Sequence, residues 1–519
     1  MLLSPVTMHE RNPYRTPIDF ISLAEAYPPL KLWLIKTAND SVTINFKDAA
    51  AQRCLTESLL SRDFELKLNL PEGRLCPPVP NRLNYLLWIQ DLLLETFRSL
   101  PHSTGVVGID IGTGSSAIYP LLGCRLVSSW NFVGTEIDLT SYASAAQNVN
   151  ENGLKARIRI LQVSPSDPLL SPLYRDPDFR YAFTMCNPPF YGSTAEVARS
   201  ADGKALEPNA ICTGADVEMV TPGGEEAFVQ RMVSESLERG IGERCLWFTS
   251  MLGKLSSVGT IVSSLRAHEI DNYALTELVQ GQTRRWVVAW SFTDVRLPDT
   301  LARALPSVHH ALFPSPNTLR QPLRSLTHTN SLAPLSYRTL YQIVMPVLEG
   351  LDDVFVTEAS AAISAEDSDD INAKHLSGDA FVLHVSAIRN TWSRAARRKK
   401  AKNVPIASGS NPSPGFAVLE PMAIDTSPAL QTSISIAPAL TVDIRAVYTP
   451  PAASLREKTY NRNSQKDGRN VIQYSADFVG MWALECTWRR GRERALFEGF
   501  WGYVCRRVGL ALDSQATDI

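Results

Sequence analysis

Up to about residue 98, apolar positions recur at helical spacing. "FKDAAAQRCLTESLLSRDF" shows it, and "NRLNYLLWIQDLLLETFRSL" (81–100) is strongly amphipathic behind an Asn start. From 105 onward the rhythm changes to short apolar runs separated by helical stretches. "GVVGIDIG" reads as a buried strand and opens through "GTGSSAIYPLLG" into a helix. "NFVGTEID" is the next strand, followed by the helical "LTSYASAAQNVNENG"; "ARIRILQV", "YAFTMC" and "ERCLWFTSML" continue the series. "NYALTELVQG" and "RRWVVAWSF" stand either side of a short polar turn and suit an antiparallel pair. Five strands with helical crossovers and a final hairpin predict an α/β protein, a doubly wound sheet of about seven strands with an antiparallel edge.

Beyond the sheet, residues 296–335 are rich in Pro, Ser and Leu and read as a linker. "SYRTLYQIVMPVLEGL" then reads as a helix and "DAFVLHVSAIRNTW" as a strand. A basic run, "SRAARRKKAKN", leads into a Pro/Ser/Ala-rich stretch, and order returns with "LTVDIRAVY", "VGMWALECTWRRGRE" and the helical "RALFEGFWGYVCRRVGL". The resulting division is an N-terminal helical extension at 1–100, an α/β domain at 101–295, the linker, and a small α+β domain split into 336–394 and 438–511. The interrupting insert, 395–437, has the composition of a disordered segment.

Composition narrows the class. The chain of 519 residues is 44% hydrophobic and 20% charged, enough apolar material for two to four cores. The formal net charge of -2 carries no global nucleic-acid signal, so any basic surface must be local. Eight cysteines are scattered without CxxC or Cys/His clustering, which argues against zinc and against a disulfide framework. With no transmembrane-length apolar run and no signal-peptide core, the expectation is a soluble, intracellular protein without a metal.

The chemistry concentrates at two strand ends. Gly112 and Gly114 follow the first strand and let backbone approach a ligand at a helix N-terminus. Glu136, 24 residues beyond Gly112, ends the second strand, where a carboxylate can accept hydrogen bonds from ribose hydroxyls. The spacing Gly112-x-Gly114-x-x-Ala117 also fits a dinucleotide fold. Asp110 either faces a cationic ligand or caps the turn. At the fourth strand's end stand Asn187, Pro188, Pro189 and Phe190. The Asn187 amide carbonyl and the Pro188 backbone carbonyl can hold both N–H bonds of an exocyclic amine and localise its lone pair. Phe190 can stack on the ring that bears the amine, so catalysis is by positioning and electrostatics. A capped turn with a core Phe is the plain structural alternative.

Together, "GIDIGTGSSAIYPLLG", "GTEID", "CNPPF", "SMLGK" and "QGQTRRWVVAWSF" resemble the N6-adenosine methyltransferases that modify U6 small nuclear RNA, with bacterial 23S ribosomal RNA enzymes as more distant relatives. The resemblance spans roughly 8–294 and implies a Rossmann-like methyltransferase sheet that uses S-adenosylmethionine. It implies that Arg82 contacts the cofactor carboxylate, that Asp110, Gly112, Gly114 and Asn187 line its pocket, and that Glu136 holds the ribose. Asn187 to Phe190 would serve the target adenine. Arg11, Arg15, Lys254, Arg284 and Arg285 resemble RNA-contacting positions. The family's longer members carry a split C-terminal RNA-binding region, which agrees with the broken α+β unit; Arg398, Lys399 and Lys400 belong to a basic cluster there, and "ARRKKAK" equally suits nuclear import.

Two departures stand against the family pattern. The loop "QVSPSDPLL" lacks an expected lysine, and the segment after Phe190 keeps only Arg199 and Lys204 as basic residues. The expected reaction is methyl transfer to N6 of an adenosine in U6 RNA, in the nucleus or shared with the cytoplasm. Alternative substrates are a ribosomal RNA adenine or a protein glutamine, although glutamine enzymes favour Tyr where Phe190 stands. A non-catalytic RNA-binding scaffold is the remaining alternative, and a NAD enzyme leaves Asn187 to Phe190 unexplained.

Overall fold

The computed structural model describes residues 8–100, 105–197, 215–281, 283–323, 336–358, 381–402, 437–449 and 481–517. Two compact units divide the chain at Pro316. In the first, an eight-stranded sheet runs in the order β3-β2-β1-β4-β5-β7-β6-β8. Its strands are β1 (Val106–Ile111), β2 (Trp130–Glu136), β3 (Ile158–Gln162), β4 (Tyr181–Cys186), β5 (Cys245–Leu252), β6 (Tyr273–Gln280), β7 (Thr283–Trp290) and β8 (Arg303–Ala304). β1 to β5 are mutually parallel, and β7 inserts antiparallel between β5 and β6. The expected hairpin is therefore present, but it is not the edge: the two-residue β8 pairs parallel to β6 outside it and makes the sheet eight-stranded.

The helices are α1 (Phe20–Ala26), α2 (Ala49–Phe64), α3 (Val79–Ser99), α4 (Ile118–Leu126), α5 (Leu139–Glu151), α6 (Gly224–Ser236) and α7 (Leu255–Ala267). Their starts are locally encoded. Asp48 caps α2 through the amides of Ala50 and Ala51, Asp138 caps α5 through Ser141, and Pro80 sits in the first turn of α3 where its missing N–H costs nothing. α3, α4 and α5 share one core with Phe132, Phe183, Trp247 and Met251. Val229 and Met232 of α6 and Val258 and Ile261 of α7 join Phe248 and Trp290 in the core of the opposite face. The alternation Trp247/Phe248 along one strand thus feeds two layers of helices. Gly108 is register partner to Phe132 on one side and Phe183 on the other, and a Cβ there would lie 2.3 Å from Phe183.

The first hundred residues, expected as a separate extension, belong to the same unit. Tyr85 on α3 hydrogen-bonds Thr249 (2.6 Å) and the Trp247 indole donates to Thr96 (2.8 Å), so α3 is a layer of the sheet's core. A small hairpin, Leu34–Lys36 with Val42–Ile44, adds strand structure that the helical spacing there did not foretell. The expected linker at 296–335 is also corrected. It contains β8, a 3-10 helix at Ser307–Leu312 and β9 (Thr318–Pro322), because a Pro-rich segment can still serve as an edge strand; residues 324–335 lie outside the described set.

The second unit is an antiparallel five-stranded sheet in the order β9-β13-β12-β11-β10, with β10 (Val354–Glu358), β11 (Val382–Ala387), β12 (Leu440–Thr449) and β13 (Met481–Arg490). Two helices, α8 (Tyr337–Glu349) and α10 (Arg494–Thr517), supply Leu340, Val344, Phe497, Phe500 and Val504 to its core beside Val442, Ile444 and Trp488. The α+β expectation holds, but the domain starts at β9 rather than 336 and its last helix runs on to Thr517 rather than 511. Part of the insert expected to be disordered is helix α9 (Arg394–Lys402): Ser393 caps it through Ala396 (3.2 Å), and Ala, Arg and Lys are strong helix formers. Residues 403–436 lie outside the described set.

Candidate active site

β1, β2 and β4 end side by side, and their exits carry the chemistry. After β1 the chain turns through Gly112 and Gly114, both left-handed (φ +68° and +66°), a conformation an L side chain resists. A Cβ on Gly112 would meet nothing within 4 Å, so the turn leaves open space above it. From below, the turn is fixed to α5: Ser144 Oγ and Asn148 Nδ2 both donate to the Ser115 carbonyl, at 2.9 and 3.0 Å.

Asp110 proves to cap the turn, since Thr113 Oγ1 donates to its Oδ2 at 2.7 Å. Its Oδ1 is buried without a partner. Burial pushes the Asp110 carboxyl up to about 7, against the pull of the Thr113 hydroxyl and the Arg82 guanidinium. Arg82, itself buried, lies with its guanidinium 5.5 Å from the Tyr119 ring centroid. Glu136 accepts from the amides of Gly114, Ile137 and Asp138, each at 2.9 Å. Burial raises its carboxyl while those amides pull it down. A carboxylate has about four lone-pair sites, so three amides leave one for a ligand hydroxyl.

At the end of β4, Pro188 is buried and Asn187 half-buried, with Asn187 Oδ1 shielded from solvent and lacking a partner. Buried polar atoms without partners are uncommon in folded proteins. Here Asp110, Ser115 and Asn187 each contribute one, at the exits of β1 and β4. Such a donor and acceptor set, with Arg82 cationic and Asp110 acidic, fits a zwitterionic amino-acid moiety joined to a nucleoside.

Phe190 is held between β7 and the turn after β5. Arg285 from β7 places its guanidinium 5.0 Å from the ring centroid, and a Cβ on Gly253 would lie 2.9 Å from Phe190 Cδ1. The chain returns beside it: Tyr191 N donates to Met219 O (3.0 Å) and Thr221 N to Tyr191 O (2.9 Å). Glu218 accepts from Leu75 N and Ala215 N, and its Oε1 would be 3.9 Å from a Cβ on Gly114. Neither Glu218 nor Glu225 stood out in the sequence. The available signal was "PGGE", two successive left-handed glycines before an acid.

The structure separates the basic residues expected on RNA. Arg285 lies at the site. Lys254 pairs with Glu196 (2.6 Å), and Arg284 with the buried Glu277 (2.8 Å). Arg11 is pinned to α3, donating to Gln90 Oε1 (2.6 Å) and the Leu87 carbonyl (3.2 Å) and pairing with Asp91, while Arg15 donates to the Glu10 carbonyl (3.3 Å). Arg398, exposed, belongs with Lys399 and Lys400 to α9 of the second unit. Arg199 and Lys204 lie outside the described residues. Seven cysteines are free, and no group of metal-ligating side chains occurs among the described residues.

An RNA methyltransferase family model matches residues 3–294. The chain belongs to this family. The chain is 34% identical over 403 residues to the human RNA N(6)-adenosine-methyltransferase METTL16, covering 76% of this chain and 68% of the human protein. Against the U6 small nuclear RNA (adenine-(43)-N(6))-methyltransferase of Schizosaccharomyces pombe it is 40% identical over 281 residues, 54% of this chain and 70% of that one. The human METTL16 catalytic domain, solved with a MAT2A 3′UTR hairpin, matches with a TM-score of 0.50 at 38% identity, over 56% of this chain and 96% of that domain. The glycine turn and Glu136 lie within the matched residues, at the carboxyl ends of β1 and β2.

Proposed function

We propose that the protein transfers a methyl group from S-adenosylmethionine to N6 of an adenosine in U6 small nuclear RNA. The observation that carries this reading is the Asn187–Phe190 turn: an unpartnered amide carbonyl shielded from solvent, followed by an aromatic ring, at the strand end next to the glycine turn of β1. Its support is the family match together with relatives whose names state adenine N6 methylation of U6 RNA.

The cofactor would supply an electrophilic methyl group on a sulfonium. Arg82 would take its carboxylate, Asp110 its ammonium, and Glu136, through its remaining lone pair, a ribose hydroxyl. The residues of this chain then act on the base. Asn187 Oδ1 and the Pro188 carbonyl each accept one N6–H, which draws the nitrogen lone pair out of conjugation with the ring. Pro188 and Pro189 keep that pair of acceptors stiff. Phe190 stacks on the adenine, which must leave its own stack at a cost of a few kcal/mol. Positioning supplies the rate; the N6 proton that the methyl group replaces passes to water, so no side chain need act as a dedicated base.

RNA would be gripped by Arg285 at the site, with Lys254, Arg284, Arg11 and Arg15 free to serve once their present carboxylate and carbonyl partners are exchanged for phosphates. The second unit, with Arg398, Lys399 and Lys400, would add phosphate contacts, and its basic helix suits a nuclear protein. Purified protein given labelled S-adenosylmethionine and U6 RNA, beside a copy whose target adenosine is changed to uridine, tests the reading. Label in the first RNA alone is expected; label in neither would overturn it.

A further inference from the structure

Glu225 is one of the most deeply buried carboxylates of the first unit, at 2% exposure, and the nearby Lys254 ammonium, though attracted to it, forms its salt bridge with Glu196. Backbone and hydroxyl donors surround it instead. Gly253 N donates to Oε2 at 2.6 Å, while Lys254 N at 3.0 Å and Ser257 Oγ at 2.7 Å donate to Oε1. These donors begin α7, whose own cap residue Lys254 offers no side-chain acceptor. The carboxylate therefore caps α7 from the first turn of α6, where a helix N-terminus favours an anion.

What this joint touches is the base site. A Cβ on Gly253 would lie 3.1 Å from Glu225 Oε2 and 2.9 Å from Phe190 Cδ1, so the glycine is wedged between carboxylate and ring. A Cβ on the preceding Gly224 would lie 3.4 Å from the Phe190 carbonyl and 3.3 Å from Gly192 N. The turn bearing Phe190 thus rests on both partners of one buried hydrogen-bond joint.

We infer that Glu225 is a positioning residue for the target base: by clamping Gly253, it sets the plane of the Phe190 ring on which the adenine stacks. The inference rests on the adenine-methylating reading above. Glu225→Gln replaces one carboxylate oxygen with an N–H donor that must face Gly253 N, or else Lys254 N and Ser257, and so pushes that contact apart. Gly253→Ala strikes the same joint from the other side, pressing on carboxylate and ring while keeping all three cap donors, and its backbone is not left-handed.

Full-length protein is assayed with labelled S-adenosylmethionine and U6 RNA, at a temperature where circular dichroism shows every variant folded. Both variants are expected to lower kcat about 10- to 100-fold, because small misplacements at a reacting centre have effects of that order. The KM for S-adenosylmethionine should stay within about threefold, since neither residue touches the nucleoside pocket. Each is also combined with Phe190→Leu. If Glu225 acts through the ring, the double variant is little worse than Phe190→Leu alone; losses that multiply would assign Glu225 to stability only and overturn the inference. Unchanged kcat in Gly253→Ala would overturn it as well. Wild-type protein inert on U6 RNA would overturn the functional reading beneath it, a failure visible before any variant is compared.

Discussion

Asn187→Ala should abolish turnover without weakening the fold. The Asn187 Oδ1 atom is shielded from solvent and has no hydrogen-bond partner. An unsatisfied buried acceptor costs a folded protein about 1–3 kcal/mol, so removing it leaves stability unchanged or raises it. In the reaction the same atom accepts one of two N6–H bonds. Loss of one pre-placed hydrogen-bonding group of this kind typically lowers kcat about 10²–10³-fold, or about 2.7–4 kcal/mol. The assay pairs methyl transfer to U6 RNA with thermal melting and with separate titrations of S-adenosylmethionine and RNA. The expected signature is a lost kcat, a melting temperature at or above wild type, and RNA affinity within a few fold. Turnover within a few fold of wild type would refute the role. A melting temperature well below wild type would show that the carbonyl serves the fold, and would refute the argument from its missing partner.

Other expectations follow from the same geometry. Glu136→Gln keeps an acceptor but sets an amide N–H against backbone donors at Gly114, Ile137 and Asp138; isothermal titration should show at least about tenfold weaker cofactor binding, roughly 1.4 kcal/mol. Asp110 has its carboxyl raised from 3.8 to about 7, so the folded protein keeps a proton that the unfolded chain gives up. Its favourable contribution is present in full below about 4 and is lost as pH rises through about 7; denaturant melts at pH 5 and 8 should show Asp110→Asn gaining on wild type at the higher pH. Arg285→Ala should weaken RNA binding and lower the slope of log affinity against log salt by about one, read by filter binding over a salt series.

Much of this protein was legible in residue order. The strands β1 to β7 and helices α2 to α5 lie where hydrophobic spacing placed them, because apolar period and capping residues are local properties. The turn at Gly112 and Gly114 and the place of Glu136 at the end of β2 were also readable, since glycines behind a strand and an acid at a strand end are local features. Asn187 to Phe190 also declared itself, as a strand that stops at an amide, two prolines and a ring. What residue order left open was settled by contacts between distant segments. Asp110 could face a ligand or cap a turn, and the fold uses one oxygen for the cap, from Thr113, while it buries the other without a partner. The first hundred residues became part of the catalytic unit only because Tyr85 and Thr96 reach Thr249 and Trp247 across more than 150 residues. A Pro-rich linker became edge strand β9 only because β13 offered it a partner. Arg11 and Lys254, basic in sequence, are neutralised by Asp91 and Glu196 once folded. Glu225 follows a double glycine that marks a turn but names no partner, for its donors lie 28 to 32 residues away, and only packing brings that carboxylate beside the Phe190 ring.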